Sequence, residues 1–242
     1  MIMRSRLDKN SWVLTRPIAH RGLHNETVGE NSMGAFKNSI EKGYPIEMDI
    51  QLSKDGVLLC FHDDSLERVC GKKGYINDFT FEELKELKIL NTDEGIPTFE
   101  EFLKEVNGKV PLLIEIKGQR SKEYDIALKT VEALKGYKGE FVIQSFDPRI
   151  MHKVRKYAPS IIRGQLACKP ERKSLPLIKY LVVKHMLLNC LSKPDFIHYC
   201  IKDMPIKTNK PTICWTVRTK EELALARKYG VNFVFEKVNP NE

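Results

Sequence analysis

Short apolar runs alternate along this chain with longer stretches in which hydrophobic positions recur at helical spacing. Eight runs stand out, centred on residues 17–19, 46–52, 112–116, 141–143, 161–165, 196–198, 212–215 and 233–235. Between most of them the spacing predicts helices over 32–42, 98–106, 122–134, 148–157, 175–191 and 220–229. Thr98 followed by Glu101 reads as a capping box, and Gly136 and Gly230 stand where helices should stop. Strands alternating with helices argue for a parallel sheet covered by helices, and eight of them predict an α/β fold, the (β/α)8 TIM barrel. Only residues 237–242 follow the eighth run, so the ring of helices is expected to be incomplete there.

The interval from His62 to Pro97 breaks this rhythm. It is polar, contains glycine, carries a helical piece over 80–87, and is too long for an ordinary strand-to-helix loop. The chain is therefore read as a single barrel domain over 1–242, with a small insertion after the second strand at approximately 63–97. Long loops on the active face of a barrel commonly shape the substrate cleft, which is the role expected of it.

Strand alternation then places chemistry. Residues two apart on a strand project from one face, so Glu47 and Asp49 point together, and a carboxylate pair wants a cation. The apolar run at 110–117 repeats the device with Glu115 and Lys117. Glu47, Asp49 and Glu115 form an all-oxygen set suited to a hard divalent metal ion, Mg2+ or Ca2+. Ile18-Ala19-His20-Arg21-Gly22 and Cys60-Phe61-His62-Asp63 bracket the first carboxylates and bring two histidines to the group. These polar residues fall at strand ends, where a barrel of this kind carries its catalytic groups.

Several sequence blocks, in order, resemble the glycerophosphodiester phosphodiesterase family. They are HRG at 20–22, EN at 30–31, EMDIQLSKDG at 47–56, FHDDSLERVCGKKGYINDFTFEELKEL at 61–87, IPTFEEFL at 96–103, LLIEIK at 112–117 and QSFD at 144–147. The resemblance covers roughly residues 16–150 and is weaker beyond. It implies the same barrel, and a metal-dependent hydrolysis of glycerophosphodiesters to an alcohol and sn-glycerol 3-phosphate. The residues matching His20 and His62 would be the catalytic acid and base, a task open to imidazole near neutral pH. Those matching Arg21 and Lys117 would contact phosphate, for which a guanidinium fork and an ammonium are apt. Attack by a neighbouring glycerol hydroxyl to give a cyclic phosphate is a further implication of the family. The insertion would lie over the barrel mouth, and Glu30 would hold the HRG loop; Asn31 is otherwise read as a helix N-cap.

Two more residues join the substrate-binding set: Gln144 ends the fourth run, and Trp215 ends the seventh as an apolar wall or as core. His24, His152, His185 and His198 show no partner at a useful spacing and are read as surface or packing residues. Asp63 is read as a turn residue or cap, and Glu236 departs from the polar sequence usual in relatives after the last strand.

Bulk properties narrow the field. The net charge is +8 over 242 residues, but the lysines are scattered rather than gathered with aromatics, so no nucleic-acid partner is expected. Residues 1–10 lack the apolar core of a signal peptide, and a cytoplasmic location is the default. Six cysteines without C-x-x-C spacing are expected to be reduced. The apolar segment 175–191 is interrupted by Lys179, Lys184 and His185, so it is a poor membrane span; membrane contact is not expected, an interfacial helix being the alternative. The small-molecule diester is the expected partner, and oligomeric state is open. Two competing functions remain: lysophospholipase D-like hydrolysis with 175–191 contacting acyl chains, and a noncatalytic barrel binding lipid or nucleic acid. The second leaves His20, His62 and the acidic trio without a purpose.

Overall fold

The computed structural model describes residues 6–90, 92–118 and 123–242. Among these, nine strands form one sheet: β1 (Ile18–Ala19), β2 (Ile46–Leu52), β3 (Leu58–Cys60), β4 (Leu112–Ile116), β5 (Phe141–Ser145), β6 (Arg163–Ala167), β7 (Phe196–Cys200), β8 (Thr212–Val217) and β9 (Asn232–Phe235). Eight are parallel and close into a barrel. β1 pairs with β9 through Ile18↔Val234 and with β2 through Ala19↔Ile46, and the circuit from β2 through β4 to β9 follows chain order. Each of the eight apolar runs contributes one of these strands.

The additional strand, β3, is antiparallel to the upper half of β2, with Ile50↔Cys60 and Leu52↔Leu58. Its presence follows from unequal lengths. β1 spans two residues and β2 seven, so β1 pairs only the lower end of that edge, and β3 takes up backbone groups above it.

Helix α1 (Trp12–Thr15) precedes the barrel and α2 (Met33–Lys42) follows β1; α3 (Glu67–Cys70) and α4 (Phe81–Leu84) lie in the insertion. Then come α5 (Phe99–Val106), α6 (Ile126–Ala133), α7 (Pro148–Tyr157), α8 (Leu177–Lys184), α9 (Asn189–Ser192) and α10 (Lys220–Tyr229). The capping box at Thr98 and Glu101 starts α5, and Gly230 ends α10 in the left-handed conformation. Lys122, the expected start of the sixth helix, lies outside the described residues. The expected helix over 175–191 is two helices, because Met186 turns into the left-handed region at φ +47°. No helix follows β9 among the described residues, and none is long and apolar enough to cross a membrane.

Inward-facing residues form layers. Ile18, Leu113, Val142, Phe196, Ile213 and Val234 fill the lower barrel, plugged from below by Trp12 and Val13 of α1. Gly164 makes room for the Phe196 ring: a Cβ there would lie 2.4 Å from it. Two residues further along these strands stand His20, Glu115, Gln144, His198, Trp215 and Glu236. The outward residues of β2 and β4, such as Met48, Ile50 and Ile114, pack with Phe99 and Phe102 of α5 in the main core. The lower half of the barrel is thus an apolar foundation, and the polar layer above it is where the site lies.

Candidate active site

β2 is buried along its whole length. With Ile46, Met48, Ile50 and Leu52 packed against the helices, alternation turns Glu47 and Asp49 to the barrel interior. Glu115 sits beside Asp49 in register on β4, and one ligand oxygen from each of the three acids lies within 4.8 Å of the others. Lys117 Nζ is 2.8 Å from Glu115 Oε1 and 3.5 Å from Asp49 Oδ1, and Arg21 Nε is 3.5 Å from Asp49 Oδ2.

The charges do not balance within this group. Three buried carboxylates meet two cations, and Arg21 is shared with Glu30 at 2.6 Å. Burial, reinforced by Asp49 and Glu115, pushes the Glu47 carboxyl well above its ordinary range, and burial raises Glu115 as well. Asp49 is held well below the usual range: burial opposes this, but Lys117, His62, Arg21 and the Asn31 amide outweigh it. Its Oδ1 is buried and accepts no hydrogen bond among the described residues. Excess buried negative charge, converging oxygens and a buried oxygen that accepts no hydrogen bond fit a divalent cation that prefers carboxylate ligands.

The HRG segment is fastened to β2. Arg21 N donates to Glu47 Oε2 at 3.0 Å, and Gly22 N to the Glu47 carbonyl at 3.2 Å. Gly22 is required there: its φ is +76°, and a Cβ would lie 2.8 Å from the Ala35 carbonyl carbon. Asn31 is not the N-cap; Ser32 caps α2, and Asn31 instead bonds Asp49 twice. Its Nδ2 donates to Asp49 Oδ2 at 2.9 Å, and its Oδ1 accepts from Asp49 N at 3.2 Å.

Both histidines are held by carboxylates. His20 Nδ1 lies 2.5 Å from Glu236 Oε2, and His62 Nδ1 lies 2.5 Å from Asp63 Oδ1. An ionised carboxylate only accepts, so Nδ1 carries the proton in each ring, and Nε2 is left with its lone pair. Burial pushes His20 down to about 4, against the opposing Glu236 hydrogen bond, and burial lowers His62. Burial therefore works against the charged form of both rings. Asp63 is thus more than the turn residue or cap expected from the sequence, and Glu236, noted there only as a departure from relatives, holds His20.

The insertion ties the two histidine loops together. Arg68 on α3 gives Nε to Asp63 Oδ2 at 2.6 Å and Nη1 to Glu30 Oε2 at 2.9 Å, while Glu30 pairs with Arg21. A continuous chain of charges therefore runs from His62 through Asp63, Arg68 and Glu30 to Arg21.

His20, Arg21, His62, Glu115, Gln144 and Trp215 are among the residues lining one pocket of about 70 Å3. Gln144 is fixed by His198, whose Nδ1 is 2.7 Å from Gln144 Oε1, and Trp215 meets Phe146 edge-on at 5.5 Å. Two histidines read as packing or surface residues belong here: His198 lines the pocket, and His24 Nε2 reaches Glu236 Oε2 at 3.4 Å. His198 and Glu236 had a sequence signal. Leu113-x-Glu115 and Val142-x-Gln144 step from the apolar layer to the polar one, and Phe196-x-His198 and Val234-x-Glu236 repeat the step. Asp63 and Arg68 offer no such periodicity, because they lie off the barrel strands.

A family model described as the glycerophosphoryl diester phosphodiesterase family matches residues 20–236, so the likeness extends well past the early motifs. The chain is 32% identical over 232 residues to a glycerophosphodiester phosphodiesterase of Caldanaerobacter subterraneus subsp. tengcongensis, covering 90% of this chain and 92% of that protein. It is 30% identical over 162 residues to human glycerophosphodiester phosphodiesterase 1, covering 60% of this chain and 46% of the human protein. Among solved structures, an Oleispira antarctica phosphodiesterase in complex with the product sn-glycerol-3-phosphate superposes with a TM-score of 0.75 at 22% identity, over 93% of each chain. A glycerophosphodiester phosphodiesterase from Thermotoga maritima superposes with a TM-score of 0.69 at 26% identity, over 91% of this chain and 93% of that one.

Proposed function

The chain belongs to the glycerophosphoryl diester phosphodiesterase family and is a phosphoric diester hydrolase; on that premise we propose that its pocket cleaves glycerophosphodiesters to an alcohol and sn-glycerol 3-phosphate. In this reading Glu47, Asp49 and Glu115 hold a divalent cation, and His20 and His62 move the protons. The observation that carries it is the pair of carboxylate-bound imidazoles in one pocket beside three buried acids and two cations.

When bound, Mg2+ or Ca2+ supplies charge neutralisation for the phosphoryl oxygens. The side chains do the rest. With Nδ1 protonated and fixed, each ring works through Nε2: one imidazole accepts the proton of the attacking oxygen there, and the other, which must first take a proton from solvent at Nε2 and react as imidazolium against its carboxylate, gives that proton to the departing alkoxide. Arg21 and Lys117 present fixed positive charge to the phosphate, and their carboxylate partners hold them in place before substrate arrives. Gln144, steadied by His198, offers a polar contact, and Trp215 with Phe146 walls the organic part of the substrate.

The test is release of glycerol 3-phosphate from a panel of glycerophosphodiesters by chelator-stripped protein resupplied with Mg2+ or Ca2+. Metal should restore release and raise the thermal midpoint, by about 2.7 kcal/mol of stability at a hundredfold excess over Kd. Release and midpoint both indifferent to metal would remove the trio from its role. A folded, metal-bound protein that released nothing from any diester would remove the substrate assignment. A second reading, hydrolysis of lysophospholipids at the same site, is favoured by an apolar cavity of about 180 Å3 that shares Phe146 and Leu166 with the catalytic pocket. A higher kcat/KM on a lysolipid than on its deacylated diester would identify it.

A further inference from the structure

The segment joining β6 to β7 exposes more apolar surface than a helix on a barrel needs to. No residue of α8 is buried, although it reads Leu-Ile-Lys-Tyr-Leu-Val-Val-Lys. Ile178 is 78% exposed, Leu177 and Leu187 are 54% exposed, and Leu181 and Leu191 are also open. Over residues 169–193 stand six basic residues, Lys169, Arg172, Lys173, Lys179, Lys184 and Lys193, against one acid, Glu171. All six are exposed. An apolar patch alone would suit any partner, but apolar side chains interspersed with one sign of charge complement an anionic surface with an apolar interior.

The segment also communicates with the site. Phe146, Leu166, Val182, Val183, Met186 and Leu188 help line the apolar cavity of about 180 Å3, which lies between α8 and the C-terminal ends of β5 and β6. Phe146 and Leu166 are common to this cavity and the catalytic pocket. The apolar cavity therefore adjoins both the exposed segment and the pocket where a phosphodiester would be cleaved.

We propose that residues 169–193 seat the enzyme on an anionic lipid bilayer. Leu177, Ile178 and Leu181 enter the interfacial layer, the lysines meet lipid phosphates, and the cavity receives one acyl chain of a lipid whose headgroup diester reaches the catalytic pocket. The placing of the acyl chain rests on the proposed phosphodiester hydrolysis; the seating itself does not.

Co-sedimentation with phosphatidylcholine vesicles, with and without phosphatidylglycerol, tests the seating independently of turnover. Wild-type protein should bind the phosphatidylglycerol-containing vesicles about tenfold or more tightly than the neutral ones, and added salt should weaken that binding. The I178E/L181E and K179E/K184E variants should each lose about tenfold in vesicle binding while keeping the wild-type thermal midpoint, since all four positions are exposed. Equal binding by wild type and both variants, or no preference for anionic vesicles, overturns the proposal. So does a wild-type dimer in sedimentation velocity that I178E/L181E dissolves, because the face would then be covered by a second copy. Vesicle binding without release of the headgroup alcohol from the lipid, or of glycerol 3-phosphate from any deacylated diester, would uphold the seating and count against the hydrolytic reading alone.

Discussion

Replacing Glu236 by Gln isolates the electrostatic half of the His20 contact, because the amide keeps the shape and loses the charge. Glu236 Oε2 accepts from His20 Nδ1 at 2.5 Å, and Oε1 accepts from Arg218 Nε at 2.5 Å. A hydrogen bond to a charged partner is worth about 1.5–3 kcal/mol and a neutral one about 0.5–1.5, so the substitution removes about 1–2 kcal/mol of orientation and imidazolium stabilisation. If that stabilisation is expressed in the transition state, kcat falls about 5- to 30-fold. Arg218 is half-exposed and regains water, so it should add little to the loss. The Glu236 bond raises His20 against the lowering effect of burial, so its removal should also shift the acid limb of the pH–rate profile to lower pH. Steady-state kinetics across pH, with the thermal midpoint measured in parallel, is the assay. A kcat within about twofold of wild type, or a change confined to KM or to stability, would refute the assignment of Glu236 as the residue that positions His20.

Asp63→Asn should lower kcat by a smaller factor, about two- to tenfold with KM little changed, because His62 is a third exposed and water can replace part of the contact; steady-state kinetics at saturating metal checks it. Asn31→Ala should destabilise the fold by about 1–3 kcal/mol, since it strips the buried Asp49 of a backbone and a side-chain partner; the urea midpoint should fall with an unchanged m-value. Burial pushes His198 from 6.5 down to about 3, so as pH falls the unfolded chain takes up this proton first. Its contribution to stability is complete above pH about 6.5 and is lost progressively toward pH about 3. His198→Gln should flatten the fall in unfolding free energy across that window by up to about 1.4 kcal/mol per pH unit, and parallel wild-type and variant curves would sink the idea.

What was legible in the sequence was whatever depends on local period. Barrel strands are buried on both faces, so each appears as an apolar run, and a charged residue inside such a run, as at Glu47, Asp49 or Glu115, is conspicuous. β3 is three residues long, too short to register against the polar insertion around it. Partnerships across the barrel closure were hidden for another reason: His20 and Glu236 stand 216 residues apart and meet only because β1 pairs with β9. The break at Met186 was invisible because an apolar helical pattern continues through it, and only the left-handed backbone at that residue divides the segment. Arg21 and Lys117 came forward as phosphate contacts through the family resemblance; the structure adds the carboxylates that hold them.

The shortness of β1 connects these details. A longer first strand would pair the whole edge of β2 and leave no place for β3. Instead β1 stops after Ala19, and the chain turns at once into His20-Arg21-Gly22 over the lower part of β2. β3 pairs the upper part of the same edge and delivers Phe61 N to the Asp49 carbonyl at 3.1 Å, one residue before His62. The two histidines thus arrive from opposite directions along one edge of the strand that carries Glu47 and Asp49. Their supporting carboxylates come from outside that edge, Glu236 from the barrel closure and Asp63 from the insertion, and Arg68 with Glu30 links the second to the HRG loop. On this argument the insertion holds the spacing between the imidazoles, so Arg68→Ala should disturb turnover more than binding even though Arg68 touches neither histidine. Steady-state kinetics showing an unchanged kcat would separate the insertion from the chemistry.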